Sequence, residues 1–271
     1  MQPWKIVYRI ACGAVLVFLL LPILAVIPLS FSSSGFLSYP LPGLSLRWYE
    51  TVLTSGRWLD AFINSLKIGL SATALALLLG TMASFGLARR RGFVVGAIKL
   101  LALTPMIVPI VMIAVALYFF LAPLQLTNSF AGMVIAHTVI AIPFVVIPVL
   151  AAVEQLDPNL ARAAAACGAR PLTAFFRVTL PSILPAVASG ALFAFAASFD
   201  DVVIALFIAG PDQRTLPREM FSSLRETITP ELTAVATIMM VFSTFLFMLM
   251  RYMQRRRRRL INVAAQGFVS A

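Results

Sequence analysis

Residues 130–168 read FAGMVIAHTVIAIPFVVIPVLAAVEQLDPNLARAAAACG. From Phe130 to Val153 there is no Asp, Glu, Lys or Arg, and His137 and Thr138 are the strongly polar side chains. An uncharged apolar run of about 20 residues or more crosses a bilayer as a helix. The alternating segments of roughly ten residues that build a membrane barrel are absent. The character then changes. Asp157 is a good N-cap, and Pro158 suits the first helical position. Five of residues 161–166 are Ala, the best helix former. Gly168 supplies the left-handed residue that ends a helix. The stretch therefore predicts a membrane helix followed by a short helix with a smooth, alanine-rich surface.

Working outward, five more apolar runs appear, giving six expected spans: Ile10–Leu29, Phe62–Ala88, Leu100–Leu121, Phe130–Val153, Ile183–Ala209 and Leu232–Met250. The fold class is all-α membrane protein. Pro105, Pro109, Pro143 and Pro148 predict kinks, since neighbouring groups in a membrane bundle re-satisfy the carbonyls that proline frees. The first run follows Lys5 and Arg9, but it is longer than the 7–15 residues of a secretory core and reads as an uncleaved span. After Gly168, Pro171 opens a second short helix, which Pro181 and Pro185 interrupt before the fifth span. Composition agrees. The chain has 271 residues, of which 61% are hydrophobic and 11% charged, with a mean hydropathy of +0.98. Soluble domains carry about 25% charged residues, so an ordinary soluble enzyme, a disordered chain and a secreted disulfide module are excluded.

The formal charge of +11 would suggest nucleic acid in a soluble protein, but its placement argues for topology. Lys5, Arg9, Arg89–Arg91, Lys99, Arg162, Arg170, Arg177, Arg251 and Arg255–Arg259 fall on one side of the expected spans. Arg47, Arg57, Arg214, Arg218 and Arg225 fall on the other. The basic side is cytoplasmic, so both termini lie in the cytoplasm. The acidic residues Glu50, Asp60, Asp212, Glu219, Glu226 and Glu231 mark the outer side. The basic surplus reads as topology signal and attraction to anionic lipid, with Arg255–Arg259 as a stop-transfer anchor and no nucleic-acid partner. The transmembrane domain is residues 1–259, with a cytoplasmic loop at about 154–182, and 260–271 is a short cytoplasmic tail. Cys12 and Cys167 fall at the reducing side and read as free thiols.

No Gly is followed by Lys anywhere, so a phosphate-cradling loop of the Gly-x4-Gly-Lys kind is missing. No His, Cys and carboxylate cluster has metal-ligand spacing, and no nucleophile–base pair stands out. The reading is a transport subunit with no catalytic residues, no metal and no cofactor of its own. His137, mid-span, reads as a buried side chain hydrogen-bonded across helices.

The loop between the fourth and fifth runs resembles a known family. Permease subunits of ATP-binding-cassette importers carry Glu-Ala-Ala-x3-Gly-x9-Ile-x-Leu-Pro. This chain has Arg162-Ala163-Ala164-x3-Gly168-x9-Val178-x-Leu180-Pro181. Spacing, Gly, Leu and Pro match; Val replaces Ile, and Arg162 stands where the family has Glu. Arg47-Trp48-Tyr49, Asn64-Ser65-Leu66, Ala88-Arg89, Asp200-Asp201-Val202-Val203 and the stretch from Leu216-Pro217 to Pro230-Glu231 look like the spermidine/putrescine branch. The resemblance implies a multi-pass protein of the bacterial cytoplasmic (inner) membrane that imports polyamines or related cationic amines. It implies a coupling elbow docked on a separate ATPase present in two copies, which binds the ATP and Mg. It also implies a second permease subunit, a distinct related chain, and an extracytoplasmic substrate-binding protein. Other amine-bearing solutes, such as an amino-acid derivative or an aminophosphonate, remain open. From a different class, so does an ion-gradient carrier or channel.

Asp200 and Asp201 in the fifth run are the sharpest chemical feature, because a carboxylate deep in lipid costs about 2.5–3.5 kcal/mol on insertion scales. One reading has one or both lining the path and easing passage of a cationic amine. The other has an internal ion pair, with Lys67 of the second run as partner. Gly190, Ala194, Ala197 and Asp201 share one small-residue stripe, whereas Asp200 shares a face with Phe193 and Ala196. Leu216–Ile228 is amphipathic, with Leu216, Met220, Phe221 and Leu224 opposite Arg218, Glu219, Ser222 and Arg225. Trp48, Tyr49 and Trp58 suit the interfacial aromatic belt.

Overall fold

A charge-free stretch in a membrane must satisfy its peptide groups within itself, and helix is the single-segment solution. The computed structural model describes residues 3–226, 229–245 and 247–248. Among the described residues the elements are helical, and an isolated bridge pairs Ser32 with Leu44. In order they are α1 (Pro3–Ser30), α2 (Arg47–Thr54), α3 (Gly56–Ala88), α4 (Phe93–Ile107), α5 (Ile110–Leu121), α6 (Phe130–Glu154), α7 (Pro158–Ala166), α8 (Pro171–Phe199), α9 (Val203–Ile208), α10 (Leu216–Glu226) and α11 (Pro230–Phe245). Four are long and apolar enough to cross a membrane: Val7–Ser30 of α1, then α3, α6 and α8. The α4–α5 pair makes a fifth candidate, bent by 112°. α11 is shorter. Arg251, Arg255–Arg259, the end of the expected sixth span and the 260–271 tail lie outside the described residues.

Two expectations from proline and one span boundary are corrected. The run Leu100–Leu121 is two helices at a sharp angle rather than one kinked span. Val108, which precedes Pro109, is extended at φ −78°, ψ 136°, the conformation that a following proline imposes. In contrast, Pro181 and Pro185 interrupt nothing, because α8 runs through both. The missing proline amide is absorbed by a π-turn at Phe175–Thr179, where the Leu180 amide reaches Phe175 O. The Ser182 hydroxyl donates to Val178 O at 2.7 Å. The expected fifth span, Ile183–Ala209, accordingly begins at Pro171 and stops at Phe199. There the chain unwinds at Asp200–Val202 before α9.

The described chain divides into two compact units, one of residues up to Leu59 together with Met220 onward, the other Asp60–Glu219. In the first, α1 leaves its apolar side chains exposed, Phe18 at 77% among them, as a lipid-facing helix would. The turn after it is stapled to α2: the Tyr49 hydroxyl meets Ser30 Oγ at 2.6 Å, and Trp48 Nε1 donates to Ser32 O at 2.9 Å. Trp58 Nε1 donates to Glu231. Trp48 and Trp58 are buried, so the belt reading fails for both; their indoles pin loops from inside.

In the second unit α6 is the central helix. Near its N-terminus Met133, Ala136 and Ile140 pack with Ile68 of α3, Ala114 and Leu121 of α5, and Ile204 and Ile208 of α9. Near its C-terminus Ala141, Val145, Val149 and Val153 pack with Ala76 of α3 and with Ile183 and Ala194 of α8. Gly190 lets α8 approach α6 closely, since a Cβ there would lie 3.1 Å from Val145 Cα. Gly190 and Ala194 are buried while Phe193 and Ala196 are exposed. The small-residue stripe is therefore the packing face of α8.

Candidate functional site: the elbow and the acidic helix break

The elbow forms as its residues dictate. The Asp157 side chain caps α7, accepting the Asn159 amide at 2.9 Å, and Pro158 occupies the first turn. At the other end Gly168 adopts φ +79°. Its amide donates to Ala165 O at 2.9 Å, and the Ala169 amide donates to Ala164 O at 3.0 Å. This pair of crossed bonds is the Schellman termination. No residue of α7 is buried. Arg162, Ala163, Ala164 and Gly168 therefore form a projecting knuckle, and Arg162 sits exposed on it. Val178, Leu180 and Pro181 lie on α8 instead, past the turn; Val178 and Leu180 are half-buried and Pro181 is exposed. The π-turn between Gly168 and Pro181 was not legible in the motif.

Behind α7 lies a cavity of about 510 Å³. Leu156, Leu160, Phe85 and Phe175 give it apolar walls, and Arg89 and Asp157 are its charged members. Phe85 and Phe175 meet edge to face at 5.4 Å, tying the end of α3 to the start of α8. Lys99 Nζ pairs with Glu154 Oε1 at 2.9 Å, joining α4 to the end of α6. The knuckle thus stands on helix ends that are braced to one another.

At the far end of α8 the two carboxylates part. Asp200 takes the C-cap position, its amide bonded to Ala196 O at 3.0 Å, and its side chain is exposed. Asp201 is 6% exposed, and its Oδ2 accepts the Ile204 amide at 2.9 Å. That side-chain-to-backbone bond offers the chain an alternative to continuing the helix, which accounts for the break. Lys67 does not pair with either carboxylate. Its Nζ lies 5.9 Å from the Phe130 ring centroid, and among the described residues it makes no ion pair. The neighbour of Asp201 is His137, whose Nε2 is 4.0 Å from Asp201 Oδ2 and whose Nδ1 is 2.9 Å from Ser198 Oγ. His137 is buried and bonded across helices, as its position mid-run suggested. Its contact with the acidic pair was missed, because helix rotation rather than depth selects it over Lys67. The trio has the members of a hydrolase triad. The order is reversed, however, with the hydroxyl on Nδ1 and the carboxylate on Nε2, and the fully buried ring has no room for a substrate. Among the described residues no three His, Cys, Asp or Glu side chains come together to hold a metal.

The loop between α9 and α10 is strapped to α3. Asn64 Nδ2 donates to Asp212 O at 2.9 Å and to Arg214 O at 3.1 Å. Ser65 Oγ accepts the Leu216 amide at 2.8 Å, and Arg218 donates to Ala209 O at 2.7 Å and Gly210 O at 3.0 Å. The amphipathic reading of this region is corrected. Leu216, Glu219 and Ser223 are buried while Leu224 is exposed, so α10 turns a partly polar line inward. Glu219 meets Arg214 at 3.3 Å. The spacing of Asn64-Ser65 gave no sign that these side chains serve a loop about 150 residues away.

Comparison with known proteins identifies the family. A family model described as "Binding-protein-dependent transport system inner membrane component" matches residues 75–259. The chain is 33% identical over 277 residues to the putrescine transport system permease protein PotI of Escherichia coli (strain K12), covering 98% of this chain and 97% of that protein. It is 31% identical over 240 residues to the spermidine/putrescine transport system permease protein PotC of Haemophilus influenzae, covering 88% and 93%. Its fold matches a crystal structure of a bacterial ABC transporter involved in the import of the acidic polysaccharide alginate, with a TM-score of 0.72 at 16% identity over 94% of this chain and 96% of that one. With the elbow motif inside the matched residues, the chain belongs to the family of inner-membrane components of binding-protein-dependent transport systems.

Proposed function

We propose that this chain is the permease subunit of an ATP-binding-cassette importer and forms the path for polyamines or related cationic amines through the inner membrane. The observation that carries the reading is the elbow: a capped helix with no buried residue, ending in a Schellman turn at Gly168, with the spacing that such permeases use to engage an ATPase. The names of the polyamine relatives support the substrate class. So does the chemistry at the end of α8, where the exposed carboxylate of Asp200 adds to the partial negative charge of a helix C-terminus and favours a passing ammonium group.

In this reading the chain makes six spans, α11 and the residues after it completing the last, with both termini in the cytoplasm. Two ATPase copies bind ATP and Mg and grip the knuckle. A second permease chain closes the path, and an extracytoplasmic binding protein delivers the solute. Arg162, exposed where the family's loop pattern has Glu, calls for a complementary acidic group on the ATPase. The test is to purify the chain with its ATPase and replace Gly168 by Val. A β-branched side chain at a left-handed position costs about 1–2 kcal/mol, so the variant should co-purify less ATPase and lose amine-stimulated ATP hydrolysis, while Gly168→Asn retains both. Amine uptake that continues without any ATPase would reject the reading in favour of a carrier or channel.

A further inference from the structure

The break between α8 and α9 is braced from the side by one imidazole. His137 projects from α6 and is fully buried. Through Nδ1 it touches Ser198 in the last turn of α8, at 2.9 Å. Through Nε2 it faces Asp201 at 4.0 Å, and that nitrogen has no hydrogen-bond partner of its own. The same Asp201 oxygen holds the Ile204 amide that starts α9. With Nε2–H turned to the carboxylate, Nδ1 accepts the Ser198 hydroxyl. A planar ring, held at Nδ1, therefore meets the last turn of α8 and a residue of the unwound segment. The residue between those two anchor points in the chain that remains exposed is Asp200.

We propose that His137 is a positioning residue of the transport path: by bracing Ser198 and Asp201 across the break, it fixes the direction in which the Asp200 carboxylate meets the solute. This rests on Asp200 lining that path. Asp201 adjoins Asp200 in the chain, so the Nε2 contact sets the orientation and the Nδ1 contact secures the ring. In a low-dielectric interior the Ser198 bond matters chiefly because its loss strands a buried hydroxyl, and the approach of Nε2 to Asp201 matters through the attraction between a ring N–H and a carboxylate.

Asparagine and glutamine separate the two contacts. The amide of Asn reaches the place of Nδ1, and that of Gln reaches the place of Nε2. The experiment uses the assembled transporter with Cys12→Ser and Cys167→Ser, a reporter Asp200→Cys, and a charged, membrane-impermeant thiol reagent. His137→Gln should leave the labelling rate within about twofold of the parent. His137→Asn, which loses the approach to Asp201, should change it roughly three- to tenfold, equivalent to about 0.6–1.4 kcal/mol. With Asp200 restored, His137→Asn should raise the KM for putrescine in the same proportion and leave the maximal rate close to the parent's. Equal labelling in all three proteins overturns the proposal. So does a change confined to the Gln variant, or failure of both variants to assemble with the ATPase. If labelling shifts as expected while Asp200→Asn takes up putrescine normally, the brace stands and the path role of Asp200 falls.

Discussion

At the end of α8 two carboxylates adjoin in the chain, Asp200 as the C-cap and Asp201 just beyond it where the helix has unwound. One therefore meets solvent and the other meets Ile204 and His137. Different consequences follow for the two. Asp200→Asn removes a charge that nothing else in the described chain neutralises, so uptake of labelled putrescine should fall about tenfold or more, equivalent to roughly 1.4 kcal/mol, with subunit assembly intact. Asp201→Ala removes the capping acceptor and strands the buried Ile204 amide, so it should lower the yield of assembled complex before it affects affinity. Normal uptake by Asp200→Asn would exclude that carboxylate from the path. That both acids lie within a largely apolar stretch was readable from the sequence. Which one is buried, and against what, was not, because Lys67 and His137 both sat at plausible depth and the choice depends on how α3 and α6 are rotated.

The close approach of α8 to α6 at Gly190 is a property of the helix pair. Gly190→Leu places a branched side chain where even a Cβ would be 3.1 Å from Val145 Cα and 3.3 Å from Phe144 O. Overpacking of this kind costs about 1–3 kcal/mol, seen as a lower thermal midpoint of the detergent-solubilised complex, whereas Gly86→Leu, where a Cβ meets nothing within 4 Å, should leave it unchanged. Element identity was legible wherever an uncharged run was long, as in α3 and α6. Element ends were not, since proline acts through the carbonyl it frees. The Ser182 hydroxyl and the π-turn rescue α8 at Pro181, whereas the extended Val108 ahead of Pro109 turns the chain by 112°. The alanine-rich knuckle was readable because its cap, its alanines and its terminal glycine are all local. The straps of Asn64 and Arg218 to the α9–α10 loop were not, since no local pattern encodes them.

For the whole molecule, charge asymmetry makes a topological claim that the two exposed free cysteines can check. In inside-out vesicles Cys167, beside Gly168, should react with an impermeant maleimide, and in right-side-out vesicles it should not. Added ATPase should protect it. Labelling from the outer face would invert the orientation and remove the knuckle from reach of any cytoplasmic motor. One feature links that knuckle to the acidic pair: α8 itself runs unbroken from Pro171 to Phe199, on the order of 40 Å at 1.5 Å per residue. Such a rod behaves as a lever arm. A tilt of about ten degrees at its inner end sweeps the outer end through roughly 7 Å, enough to open or shut a passage of molecular width. The π-turn near its base is a place where the stroke can be lost to flexing, so a stiffer base should tighten the gearing between nucleotide turnover and solute delivered.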